Sequence, residues 1–97
     1  MTYDHGTIDS TLAAVAGDEP ALIQDLRRAF MDGVTRAVEA MHMAQVGGEW
    51  REAALRLKGL AASVSALPLM TLAGQAAGLD APDADLLERI GDHVARL

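Results

Sequence analysis

The chain predicts an all-α fold, an antiparallel up-down four-helix bundle with a short additional N-terminal helix. Three observations point there. Hydrophobic residues make up 51% of the chain and aromatics only 3%, an Ala- and Leu-rich balance that favours helix over sheet. Apolar residues recur at helical spacing in five stretches. Turn formers separate those stretches at Gly17-Asp18-Glu19-Pro20, Gly47-Gly48, Pro68 and Asp80-Ala81-Pro82-Asp83. Connections this short join antiparallel neighbours. The 97 residues form a single domain, 1–97, near the small end of the usual range.

The first segment, residues 8–16, places Ile8, Leu12 and Val15 on one face. Thr7 can cap it and Gly17 can end it. The second, residues 19–46, starts from Asp18 as N-cap with Pro20 in the first turn, where a missing N–H costs little. Leu22, Leu26, Ala29, Gly33, Ala37, Ala40 and Ala44 form one stripe, and Ile23, Phe30, Val34, Val38 and Met41 a second beside it. Together they cover about 160° of the helix surface, which predicts packing against two neighbours. The alternative leaves the edge with Met31 and Val38 exposed for a partner. Gly33 marks a close approach to the third segment. That segment, residues 49–67, has Ala54, Leu57, Ala61 and Val64 as its core stripe. The fourth, residues 69–78, turns Leu69, Leu72, Ala73 and Ala76 inward after Pro68. The fifth, residues 83–97, buries Leu86, Leu87, Ile90 and Val94 behind a cap from Asp83 or Asp85.

Composition excludes several function classes. There is no cysteine, hence no disulfide, thiolate nucleophile or zinc–thiolate site, in keeping with a cytoplasmic location. A formal net charge of −6 makes nucleic acid and anionic membranes poor partners. No apolar run approaches the roughly 20 residues a membrane helix needs. The first seven residues lack the basic-then-apolar order of a secretion signal.

Chemistry-bearing side chains are sparse. No two histidines are spaced i, i+4, so no helical metal site and no cofactor is expected. His42 reads as a surface or boundary residue, His93 as a side chain able to interact favourably with the last turn of its helix, and His5 as part of a frayed end. Asp80, Asp83 and Asp85 lack the glycine and closing glutamate of a calcium loop and read as turn and cap residues. Ser63 and Ser65 lack a histidine or acid nearby. No Gly-Lys-Ser/Thr follows Gly47-Gly48, which therefore reads as a helix stop rather than a phosphate loop. Met31, Met41 and Met43 fill core or offer an adaptable partner surface.

The stretch Ala53-Ala54-Leu55-Arg56-Leu57-Lys58-Gly59-Leu60-Ala61 resembles the signature of histidine phosphotransfer (HPt) domains, Ala-His-x-Leu-Lys-Gly. Ala54, Leu57, Lys58 and Gly59 fit, while Leu55 stands where the phosphorylated histidine belongs. Ile8-Asp9 before Leu12, the Gly17-Asp18-Glu19-Pro20 turn, the long helix with Phe30, Gly48-Glu49-Trp50, and Ala66 followed by Leu69 come in the family's order. Ser65 departs from a frequent glycine. The resemblance implies a small helical module of two-component phosphorelay signalling, with a receiver or histidine-kinase domain as partner. It also implies that Lys58 faces phosphoryl oxygens and that Gly59 lets the partner approach. A leucine side chain has no lone pair to attack phosphorus. The implied role is therefore a non-phosphorylatable binding module, not an enzyme. Phosphotransfer through an unconventional histidine such as His42, or an oligomerisation role on the same fold, are the alternatives.

With Leu57 at the centre of the core stripe, Leu55 lies about 160° away around the helix. Gly59, Ala62 and Ala66 extrapolate to the same outward line, with Arg51, Glu52 and Lys58 at its border. The expected partner-binding set is thus Arg51, Leu55, Lys58, Gly59, Ala62 and Ala66, on a face that can also join two copies.

Overall fold

The computed structural model describes the backbone of residues 4–17 and 19–97, with side chains from Ile8 onward. Among the described residues α-helix is the regular secondary structure and there is no strand. The helices are α1 (Asp4–Ala16), α2 (Pro20–Met43), α3 (Gly47–Ser63), α4 (Leu67–Ala77) and α5 (Ala84–Ala95). None is long and apolar enough to cross a membrane. α3 packs most extensively, against α4 on one side and α2 on the other. α4 also meets α5, α5 meets α2, and α1 lies on α2 and α4.

α1 begins a turn earlier than its sequence implies, so Thr7 lies inside the helix and not at its cap. No proline bars helix between Asp4 and Thr7. Its buried side chains are Ile8, Leu12 and Ala16, whereas Val15 is 75% exposed. Gly17 ends it with φ +69°, the left-handed conformation that glycine adopts without steric cost.

α2 carries Pro20 in its first turn, as expected. Glu19 occupies the N-cap position without a side-chain cap bond; the capping role expected of Asp18 lies outside the described residues. Phe30, Val34, Ala37 and Met41 are buried, flanked by half-buried Ile23, Leu26, Met31, Val38 and Ala40. Most of the wide stripe is thus consumed by packing against α1, α3 and α5, but Leu22 and Ala29 stay exposed: Leu22 lies in the first turn of α2, and Ala29 borders an open hollow with Val15 and Leu60. Met41 belongs to the core, and Met31 and Val38 pack against it, so of the three candidate methionines only Met43 remains on the surface. Gly33 admits α3 closely: a Cβ there would lie 3.1 Å from Cδ2 of Leu60.

α2 stops at Met43 and Gly47 is already the first residue of α3. Gly47-Gly48 therefore opens a helix instead of stopping one. The cause is tertiary, because a Cβ on Gly47 would collide with the carbonyl oxygen of Asp80 in the α4–α5 turn. The carboxylate of Glu49 accepts the main-chain N–H of Gln45 at 2.9 Å and fastens the start of α3. Trp50, Ala53, Ala54, Leu57 and Ala61 form its buried stripe. Trp50 is fully enclosed, and its Nε1 donates to the main-chain oxygen of Ala76 on α4 at 2.8 Å.

α3 ends at Ser63, four residues before its periodicity fades. Ser65 takes φ +59°. The N–H of Ala66 donates to the carbonyl of Ala61 at 2.8 Å, and that of Ser65 to Ala62 at 3.2 Å. This 6→1 and 5→2 pair is a Schellman stop. Pro68 then enters the first turn of α4, which buries Leu69, Ala73 and Ala76. Asp83 caps α5 by accepting the N–H of Leu86 at 2.9 Å, and Leu86, Leu87 and Ile90 are buried. Arg27 ties three parts together: Nη1 donates to Asp9 of α1 at 2.7 Å and Nη2 to the main-chain oxygen of Leu97 at 2.6 Å.

Candidate docking site

The opposite face of α3 is built from side chains that the buried core does not use. Burial of Trp50, Ala54, Leu57 and Ala61 fixes the rotation of the helix. That rotation turns Arg51, Leu55, Lys58, Gly59 and Ala62 outward, and all five are exposed. Leu55 is 50% exposed while Leu57, two residues on, is fully buried. The projection expected from helical geometry therefore holds through Ala62.

It fails at Ala66, which is fully buried. Extrapolating 100° per residue requires an unbroken helix, and the left-handed step at Ser65 breaks it. Ala66 becomes the residue after that step and seals the junction beside buried Ala61. It is removed from the docking set. The apolar side chain left outside at this corner is Leu67, the first residue of α4.

The two edges of the face carry different charge. Lys58 and Arg51 flank Leu55 on the α4 side. Cδ and Cε of Lys58 run past Gly74 of α4, within 3.9 Å of where a Cβ would stand. Its ammonium makes no ion pair or hydrogen bond with any described residue. Arg51 reaches Asp80 at 3.5 Å, a long contact to a fully exposed carboxylate, so it is held weakly. On the α2 side, Glu52 and Arg56 pair at 3.9 Å across one helical turn. α3 carries three of the chain's eight cations against two of its fourteen carboxylate side chains, so this helix is slightly positive on an acidic molecule.

Gly59 sits mid-helix with ordinary backbone angles, and a Cβ there would meet nothing within 4 Å. Glycine costs about 1 kcal/mol relative to alanine inside a helix, and the domain's own packing gives no return for that cost. Leu55 offers no nucleophile, and no histidine, serine or carboxylate on α3 takes its outward place. The hydroxyl of Ser63 donates to the carbonyl of Leu60 at 2.7 Å. His42 is exposed in the last turn of α2, on a different helix from Lys58 and Gly59. Asp80 and Asp83 have the turn and cap roles described above, and among the described residues no cluster of His, Asp or Glu can hold a metal ion.

The roles of Arg27, Gly47 and Glu49 go beyond what the sequence pattern predicts. Glu49 has a readable signal, its place in the first turn after Gly47-Gly48; the partners of Arg27 and Gly47 are too distant in sequence to be read from it. Comparison with known proteins found no matching family model, curated protein or solved structure.

Proposed function

We propose that this protein is an HPt-like signalling module that binds a receiver or histidine-kinase domain through α3 and carries no phosphate. The observation that carries the reading is Leu55, half exposed at the place where the resembling signature puts its histidine, with Lys58 unpaired among the described residues and Gly59 open beside it. Two further facts support it. α2, α3, α4 and α5 touch as successive neighbours, and α2 touches α5, which suits an antiparallel up-down four-helix bundle with α1 added outside. The left-handed residue Ser65 stands where that family often has glycine.

The partner surface that fits this face has an apolar recess for Leu55 and carboxylates opposite Arg51 and Lys58. Covering the exposed half of Leu55 contributes roughly 1 kcal/mol, so the leucine anchors the contact and the cations orient it. A cytoplasmic setting, where such partners reside, belongs to the same proposal.

Calorimetric titration against receiver and kinase domains of the same organism tests it. Saturable binding that Leu55→Asp abolishes, with the fold intact, is the expected result. Absence of association with every such domain overturns it. A concentration-dependent dimer seen by light scattering, and broken by Leu55→Asp, assigns the face to self-association instead.

A further inference from the structure

We propose that the hollow between the end of α2 and the first half of α3 receives an arginine or lysine side chain of a protein partner. The hollow is open and about 270 Å³ in volume. Its floor is apolar and made of small residues, Ala40 and Ala44 from the α2 side and Ala53 from α3. Met43, 77% exposed, forms one wall, and a thioether wall adapts to whatever lies against it. The carboxylates of Glu49 and Glu52 stand at the rim.

An aliphatic floor beside two carboxylates complements one kind of side chain, a cation at the end of a methylene stem. A purely apolar side chain gains the floor but leaves the rim without a partner. An anion meets two carboxylates on a molecule of net charge −6. Arg56 also borders the hollow, but it faces Glu52 at 3.9 Å and leaves the rim with one negative charge in excess. Glu49 already accepts one N–H, that of Gln45. A carboxylate has further lone pairs to offer a second donor. Among the described residues nothing else neutralises it. The site does not depend on the function proposed above, because it needs neither Leu55 nor Lys58.

The test is an NMR titration of the whole 97-residue chain with three end-blocked tripeptides, Ala-Arg-Ala, Ala-Leu-Ala and Ala-Glu-Ala. The arginine peptide is expected to give saturable shifts centred on Ala40, Met43, Ala44 and Ala53. The leucine peptide should bind more weakly, and the glutamate peptide should give no saturable shift. The Glu49→Gln/Glu52→Gln double variant should weaken the arginine peptide about threefold to tenfold, because it turns the rim from one negative charge in excess to one positive charge, that of Arg56. Glutamine at 49 retains an oxygen for Gln45, and an unchanged melting curve confirms that α3 still starts correctly. Equal response to the leucine peptide, shifts spread over the acidic surface, no weakening in the double variant, or concentration-dependent shifts without peptide each overturn the proposal.

Discussion

The N–H of Ala66 donates to the carbonyl of Ala61 at 2.8 Å, and this bond decides where the exposed face of α3 ends. It requires Ser65 to hold φ +59°, a conformation costly for any residue with a Cβ. Ser65→Gly relieves that cost, although glycine also gains freedom in the unfolded chain. The expected net effect is a stabilisation of about 0.5–1 kcal/mol, read as a higher urea midpoint at unchanged slope. A lower midpoint would show that the serine is not strained.

Glycines 47 and 59 should respond in opposite directions. At Gly47 a methyl group meets the Asp80 carbonyl, so Gly47→Ala must push the α4–α5 turn away. It is expected to cost about 2 kcal/mol or more and to shift the amide resonances of Asp80 and Ala81. At Gly59 a methyl group meets nothing, and Gly59→Ala should stabilise the fold by roughly 1 kcal/mol. Under the proposed docking role the same change weakens partner binding. A variant that is more stable yet binds less well separates docking from folding; unchanged binding would remove Gly59 from the docking set.

Trp50 joins α3 to α4 through both its volume and its donor. Trp50→Phe removes the Nε1 bond to Ala76 and leaves a void in a fully enclosed site. Ala76 keeps its bond from the N–H of Leu79 at 3.1 Å, which moderates the loss. The expected destabilisation is about 2–3 kcal/mol, measured by circular dichroism because the fluorophore is gone. A loss below about 1 kcal/mol would mean that the pocket collapses around the smaller ring.

Arg27 is the residue through which α1 and the Leu97 end of the chain are held to α2. Its side chain is one-quarter exposed, so solvent weakens the ion pair. Arg27→Met retains most of the stem and deletes both charge-assisted bonds. A cost of about 1–2 kcal/mol is expected, with faster amide exchange concentrated in α1. Uniform exchange across all five helices would contradict a local tie.

Local patterns in this chain can be read directly. The Asp83 cap, the Gly17 stop, Pro20 in a first turn and the core stripe of Ala54, Leu57 and Ala61 depend on neighbours a few residues apart, and each stands as expected. The outward turn of Leu55 follows from the same periodicity. Ala66 defeats that periodicity because it stays in phase with α3 although the helix has stopped, and serine gives little warning of a left-handed step. Gly47-Gly48 is deceptive because the reason for Gly47 is a carbonyl far along the chain. The partners of Arg27 lie 18 and 70 residues away, beyond any local pattern.

Phosphoryl transfer separates a silent docking module from a working relay. The wild type and Leu55→His are each incubated with a phosphorylated receiver that binds the wild type. Mass spectrometry then follows under conditions that preserve acid-labile phosphohistidine. The wild type is expected to carry no phosphate, and the variant a phosphoryl group at position 55, beside Lys58. Phosphate on His42 of the wild type, or an unlabelled variant, would contradict the silent docking role.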